Sequence, residues 1–158
     1  MAKVRVFQVL VLVCLCSCKE NKETLFTLLH NEDLGVNFSN NLNDNNGTNV
    51  FSFRNYYNGG GVAIGDVNND GLNDVYLTSN QEDNQLLLNK GNWKFGNVAE
   101  MAGVKGSKYW STGVTMVDIN ADGWLDIYVC NSGNAKGDET ENELFVNQRN
   151  GTFKEQAK

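Results

Sequence analysis

Hydrophobic and polar positions alternate in short bursts along most of this chain. Val62 and Ile64 alternate with small residues, and Val75 to Thr78 is a compact run of β-branched and aromatic side chains. Leu86 to Leu88 is a third apolar run, within a segment that Asn84 and Asn89 close at its two ends, and Trp93-Lys94-Phe95 alternates again. Period-two patterning in segments this short predicts β-strands. No ten-residue amphipathic stretch interrupts residues 58–158. The N-terminus is different. Lys3 and Arg5 precede an apolar run from Val6 to Leu15, broken by Gln8. A helix crossing a ~30 Å hydrocarbon layer needs about 20 residues, so this run is too short to span one. A basic head before a short apolar run reads as a secretory signal.

The strand pattern repeats. Shifted by 52 residues, Gly61 to Tyr76 overlies Gly113 to Tyr128, with eight of sixteen positions identical. After a six-residue insertion, Asn84 to Asn89 matches Asn142 to Asn147, Phe95 matches Phe153 and Ala99 matches Ala157. Four strands in about 50 residues is the size of one propeller blade. An earlier echo, Phe26 to Val36 against Phe95 to Val104, suggests that the N-terminal segment carries the closing strand of another unit. The expected class is all-β, a partial β-propeller of about two four-stranded blades. The boundaries read as signal peptide 1–17, tether 18–24, N-terminal strand segment 25–57, first repeat 58–104 and incomplete second repeat 105–158.

Each repeat contains Asp-x-Asn-x-Asp-Gly-x-x-Asp: Asp66, Asn68, Asp70, Gly71 and Asp74, then Asp118, Asn120, Asp122, Gly123 and Asp126. Oxygens at positions 1, 3 and 5 of a tight loop converge. Glycine at 6 permits the sharp turn, the carbonyl at 7 (Leu72, Trp124) can turn inward, and aspartate at 9 adds a further carboxylate. Such a flexible oxygen cage suits Ca²⁺ better than Mg²⁺. The loop departs from the EF-hand: position 12 is Leu77 or Val129 rather than glutamate, and the flanks are strands. Two calcium-binding hairpin loops are therefore expected. An Asx-rich turn that needs no metal is the plainer reading of one copy, and the second copy in the same frame counts against it.

These residues resemble the FG-GAP/VCBS repeat family, whose blades build integrin-α-like β-propellers with Ca²⁺ in such loops. The matching stretches are Gly61 to Tyr76 and Gly113 to Tyr128, and Phe95-Gly96 stands near the family's Phe-Gly position. Leu15-Cys16-Ser17-Cys18 resembles the bacterial lipobox, which implies cleavage before Cys18 and its acylation. Together with Asn55 to Ala63 and Trp110 to Val114, it resembles bacterial lipoproteins related to the cartilage acidic protein family. That resemblance implies a lipid-anchored protein of the cell envelope, in the outer membrane of a Gram-negative bacterium. A propeller of about seven blades exceeds what 158 residues hold, so the remaining blades are expected elsewhere and the chain reads as an N-terminal fragment.

Composition sharpens this picture. There are 25 asparagines, 16 glycines and no proline, as suits many tight turns with left-handed positions. Net charge is −6 overall and −8 without residues 1–17, which argues against nucleic acid as a partner. Only Cys130 lies outside the N-terminal region, so no disulfide framework is expected. It reads as a buried, inert thiol. His30 is the single histidine and reads as a surface loop residue, leaving nucleophile–base chemistry little to use. Gly59-Gly60-Gly61 reads as backbone crowded by a neighbouring strand. Trp124, beside the second loop, is the place to look for glycan stacking. The expected function is a non-catalytic, calcium-binding envelope module for a glycan or protein ligand. Two alternatives stand beside it: a fragment of a polysaccharide-degrading propeller enzyme, whose catalytic residues would lie in other blades, and a non-functional truncated product.

Overall fold

The computed structural model describes residues 24–44, 47–107, 110–133 and 140–157. The signal segment, Cys18 and most of the tether lie outside the described residues. Among the described residues, no helix is long and apolar enough to cross a membrane.

Among the described residues, eight strands form two four-stranded antiparallel meanders. β1 (Val62–Gly65), β2 (Asp74–Leu77), β3 (Gln85–Asn89) and β4 (Phe95–Asn97) make the first sheet. β5 (Ser111–Val117), β6 (Asp126–Asn131), β7 (Glu143–Asn147) and β8 (Phe153–Glu155) make the second. The expected strands are present, with one correction. Trp93 lies in the hairpin turn before β4 rather than in it, with φ 59° and its side chain exposed. Gly91, Asn92 and Trp93 all take positive φ, and that turn displaces the strand start to Phe95.

Two single-turn helices were not legible in the pattern. α1 (Asn31–Leu34) and α2 (Ala99–Ala102) each stop at a left-handed glycine, Gly35 and Gly103. This is the usual helix C-terminal device, because only glycine takes that conformation without a Cβ penalty. They explain the echo between Phe26–Val36 and Phe95–Val104. A Cβ on Gly35 would stand 3.0 Å from the Phe95 carbonyl oxygen, and one on Gly103 would stand 3.5 Å from that of Phe153. The N-terminal segment thus lies against the first sheet as α2 lies against the second. The closing strand expected within 25–57 does not form among the described residues. The echo marks a helical turn and its glycine stop.

The sheets stack head to tail. Ala63, Tyr76 and Leu86 are direct cross-strand neighbours on one face of the first sheet. Met116, Ile127 and Phe145 are cross-strand neighbours in the second. All but Met116 are fully buried and belong to one apolar cluster that includes Val129, Ala99, Ala102 and Val104, with Met116 packed against it. The repeats therefore bury non-equivalent faces. Tyr76 is sealed, while its repeat mate Tyr128 is half-buried. Val62 and Ile64 are exposed, while their mates Val114 and Met116 pack on the core. Such stacking is the behaviour of repeats that bury apolar surface only against a neighbour.

The edge strands β1 and β5 lie against one another, and the glycines before β1 make this approach possible. A Cβ on Gly60 would fall 2.1 Å from the Thr78 carbonyl oxygen, and one on Gly61 2.5 Å from that of Thr112. The Thr78 hydroxyl donates to the Thr112 carbonyl (2.6 Å) and closes the contact. Trp110, at φ 64°, is buried beside Phe53 and Tyr56 ahead of the bulge in β5. Cys130 sits on β6 and is half-buried rather than sealed.

Candidate functional site

The two acidic loops are the β1–β2 and β5–β6 connections. Each is closed by a ladder pair, Gly65 with Asp74 and Val117 with Asp126. The loops lie beside one another. The Asn69 side-chain amide donates to the Gly123 carbonyl (3.1 Å), and that of Asn147 donates to the Val67 carbonyl (2.8 Å). A Cβ on Gly65 would stand 2.7 Å from Leu125 Cδ1, so the floor of the first loop rests on the second.

Inside each loop the side chains curl inward onto backbone N–H groups. The Asp70 N–H donates to both Asp66 Oδ1 (3.2 Å) and Asn68 Oδ1 (3.0 Å), which brings the oxygens of positions 1 and 3 together. Gly71 N–H donates to Asp66 Oδ2 and Leu72 N–H to Asp70 Oδ1, both at 2.8 Å. The second loop repeats the pattern. Asp122 N–H donates to Asp118 Oδ1 and Asn120 Oδ1, Gly123 N–H to Asp118 Oδ2, and Trp124 N–H to Asp122 Oδ1. Gly71 and Gly123 both take φ 85°, and the preceding position 4 is also left-handed, at 57° in Asn69 and 58° in Ala121. The acceptors at positions 1, 3 and 5 hold this conformation, as Asx side chains do in turns.

Position 9 lies beneath the turn. Asp74 and Asp126 are fully buried. Asp74 Oδ2 accepts from the Val67 N–H (3.1 Å) and Oδ1 from the Asn89 N–H (2.8 Å). Asp126 accepts from Ile119 (3.1 Å) and Asn147 (2.7 Å) in the same way. Each carboxylate therefore pins its loop to the end of the third strand of its sheet. Burial pushes the Asp74 carboxyl above its usual range, against the lowering effect of those two N–H groups, and Asp70 and Asp66 add to the rise. Asn89 and Asn147 complete the pin, donating to the carbonyls of Asn73 and Leu125.

Among the described residues, no three His, Cys, Asp or Glu side chains gather into a metal-sized group. Each loop offers three carboxylates, an asparagine oxygen and a backbone carbonyl, and its three aspartates are among the side chains that do not gather in this way. All are hard oxygens, and those of positions 1 and 3 converge on one N–H. In the first loop, no Lys or Arg among the described residues forms an ion pair with the three aspartates. By donor chemistry alone, hard oxygens are the kind that a hard cation takes.

The second loop differs at one group that the sequence pattern did not single out. Arg149, in the β7–β8 turn, donates to Asp122 Oδ2 through Nη2 (2.8 Å) and Nε (3.2 Å). This guanidinium holds the Asp122 carboxyl below its usual range. The matched oxygen of the first loop, Asp70 Oδ2, accepts from the Asn68 amide (3.0 Å). Gly91 stands at the repeat position of Arg149, and this difference between repeats was the available signal. Trp124 is half-buried and Leu72 exposed.

The loops, the strand order and the paired repeats coincide with a known family: residues 66–129 match the FG-GAP-like repeat. Over these residues the chain is similar to that repeat. Similarity to cartilage acidic protein 1 points the same way. The Xenopus tropicalis protein is 35% identical over 74 residues, 46% of this chain and 11% of that protein. The mouse and human proteins are 33% and 32% identical over 72 residues, again 46% of the chain and 11% of each relative. The match thus spans about a ninth of the length of these curated relatives.

Proposed function

We propose that the FG-GAP-like repeats form a calcium-stabilised, non-catalytic propeller segment that serves ligand binding or adhesion at the cell envelope. The reading rests chiefly on the two matched loops, which align hard oxygens in the same frame on neighbouring blades. Calcium would be held in the first by Asp66, Asn68, Asp70, the Leu72 carbonyl and Asp74. In the second the set is Asp118, Asn120, Asp122, the Trp124 carbonyl and Asp126. Bound there, the ion supplies positive charge that offsets the mutual repulsion of three carboxylates and so favours the folded loop. In this reading Cys18 carries the lipid anchor, further blades complete the propeller, and a glycan or protein is the ligand, with Trp124 as a stacking surface.

Binding only to the folded state stabilises by RT ln(1 + [Ca²⁺]/Kd), roughly 1.4–2.7 kcal/mol per site at tenfold to hundredfold excess over Kd. Sites of extracellular modules have Kd of about 10⁻⁴–10⁻³ M, so tenfold excess corresponds to about 1–10 mM calcium. Calcium added to chelator-treated protein is expected to raise the melting temperature, and Asp70→Ala with Asp122→Ala to abolish the increment. A melting temperature that does not respond to calcium refutes the reading.

A further inference from the structure

We infer that Arg149 is a resident counter-ion of the second loop, which competes with calcium for Asp122 and makes the first loop the stronger calcium site. The inference rests on the calcium reading of the loops.

The loops agree in every backbone hydrogen bond to positions 1, 3, 5 and 9. They differ at the second oxygen of position 5. In both loops the asparagine of position 3 bonds the carboxylate of position 5, and in the second two guanidinium nitrogens also converge on Oδ2. The arginine is aimed by its own turn. Its backbone takes φ 59°, and its N–H donates to Asn147 Oδ1 (2.9 Å). Asn147 also bonds the carbonyls of Val67 and Leu125, so the residue that orients Arg149 is fixed to both loops. The Asp122 side chain is 14% exposed and that of Arg149 is 56% exposed, so the pair closes over the loop from the solvent side. The second loop thus carries part of its charge compensation within the chain. An arriving cation must take Asp122 Oδ2 from the guanidinium or bind without it, whereas at Asp70 it displaces only an amide contact. Since a guanidinium stays charged at any pH the protein meets, the handicap is constant.

The test measures calcium binding to the 158-residue protein by titration calorimetry. Asp70→Ala leaves the second loop to be read, and Asp122→Ala leaves the first. With only the second loop intact, Arg149→Gln is expected to tighten binding about fivefold, the worth of one good partly exposed ion pair. With only the first loop intact, Arg149→Gln is expected to change nothing, and Gly91→Arg to weaken binding by a similar factor. In chelator, Arg149→Gln lowers the melting temperature, and calcium recovers the loss. If the first loop binds calcium while Arg149→Gln leaves the second loop's affinity unchanged or weaker, the counter-ion is overturned and the calcium reading stands. If no variant binds calcium, Arg149→Gln included, both fall. A loss of melting temperature that calcium does not recover marks Arg149 as purely structural and also overturns the inference.

Discussion

Replacing Asp126 by alanine separates two roles that the repeat pattern merges at position 9. As a metal ligand alone, Asp126 would matter only when calcium is present. The structure gives it a second task, since both of its oxygens receive backbone N–H groups, from Ile119 and Asn147, and the residue is fully buried. Truncation orphans both donors. Leaving a buried donor unsatisfied costs about 1–3 kcal/mol. Water reaching the Ile119 side and relief of the buried carboxylate offset part of this, which leaves a net loss of about 2–4 kcal/mol. With a urea m-value of about 2 kcal/mol/M, the middle of the range for a small protein, the unfolding midpoint should fall by roughly 1–2 M. The assay is urea unfolding of wild type and Asp126→Ala, followed by circular dichroism, with a chelator in every sample. Asp126→Asn should fall between the two, since an amide oxygen serves one donor and its NH₂ opposes the other. A variant that matches wild type in chelator and loses stability only when calcium is added would refute the bracing argument.

Two further outcomes are expected from single groups. The Tyr76 hydroxyl donates to the Val104 carbonyl at 2.5 Å in a fully buried site, and burial pushes its ionisation well above the ordinary value of 10.0. The folded state therefore keeps this proton when the unfolded chain has released it. Stability is fully present below about pH 10 and falls as pH rises above it. Tyr76→Phe should lower stability near neutral pH by about 1–2 kcal/mol and flatten the alkaline decline; parallel decline of both proteins in pH-dependent urea titrations counts against this. Ala121 holds the left-handed conformation at φ 58°, where its repeat mate is Asn69. Left-handed backbone costs a non-glycine residue roughly 1–2 kcal/mol, and asparagine tolerates it best, so Ala121→Asn should raise the urea midpoint. An unchanged or lower midpoint would show that this backbone is not strained.

Period-two patterning and a 52-residue repeat were enough to read four short strands in each unit, with the Trp93 strand start misplaced, and the two acidic loops; which strands pair came from the structure. These features are local, because alternation sets which residues share a face and Asx side chains bond to N–H groups within five residues. Gly60 and Gly61 bear out the crowded backbone read from the glycine run, whereas Gly59 stands in open space and uses its lack of a Cβ for a left-handed φ of 75°. The asparagines at strand ends behave in matched fashion at equivalent turns: Asn84 accepts from Ser79 five residues away, and Asn142 from Asn131 eleven residues away, across the insertion.

Tertiary structure alone decided which face of each repeat is buried. Tyr76 and Tyr128 occupy the same position in nearly the same sequence, yet one is sealed and the other half-buried. Each sheet covers its neighbour with a different face, and that choice lies between sheets rather than within either. The helical turns at Asn31–Leu34 and Ala99–Ala102 are too short for a 3.6-residue period to register, and they form where a glycine stop meets the next sheet. The ion pair between Arg149 and Asp122 joins residues 27 apart, through a β7–β8 turn that swings over the β5–β6 loop. The sequence determined the donors of each loop, because their spacing lies within a single turn. Their charge balance was set by a residue from another hairpin, which only the packed sheet brings within reach.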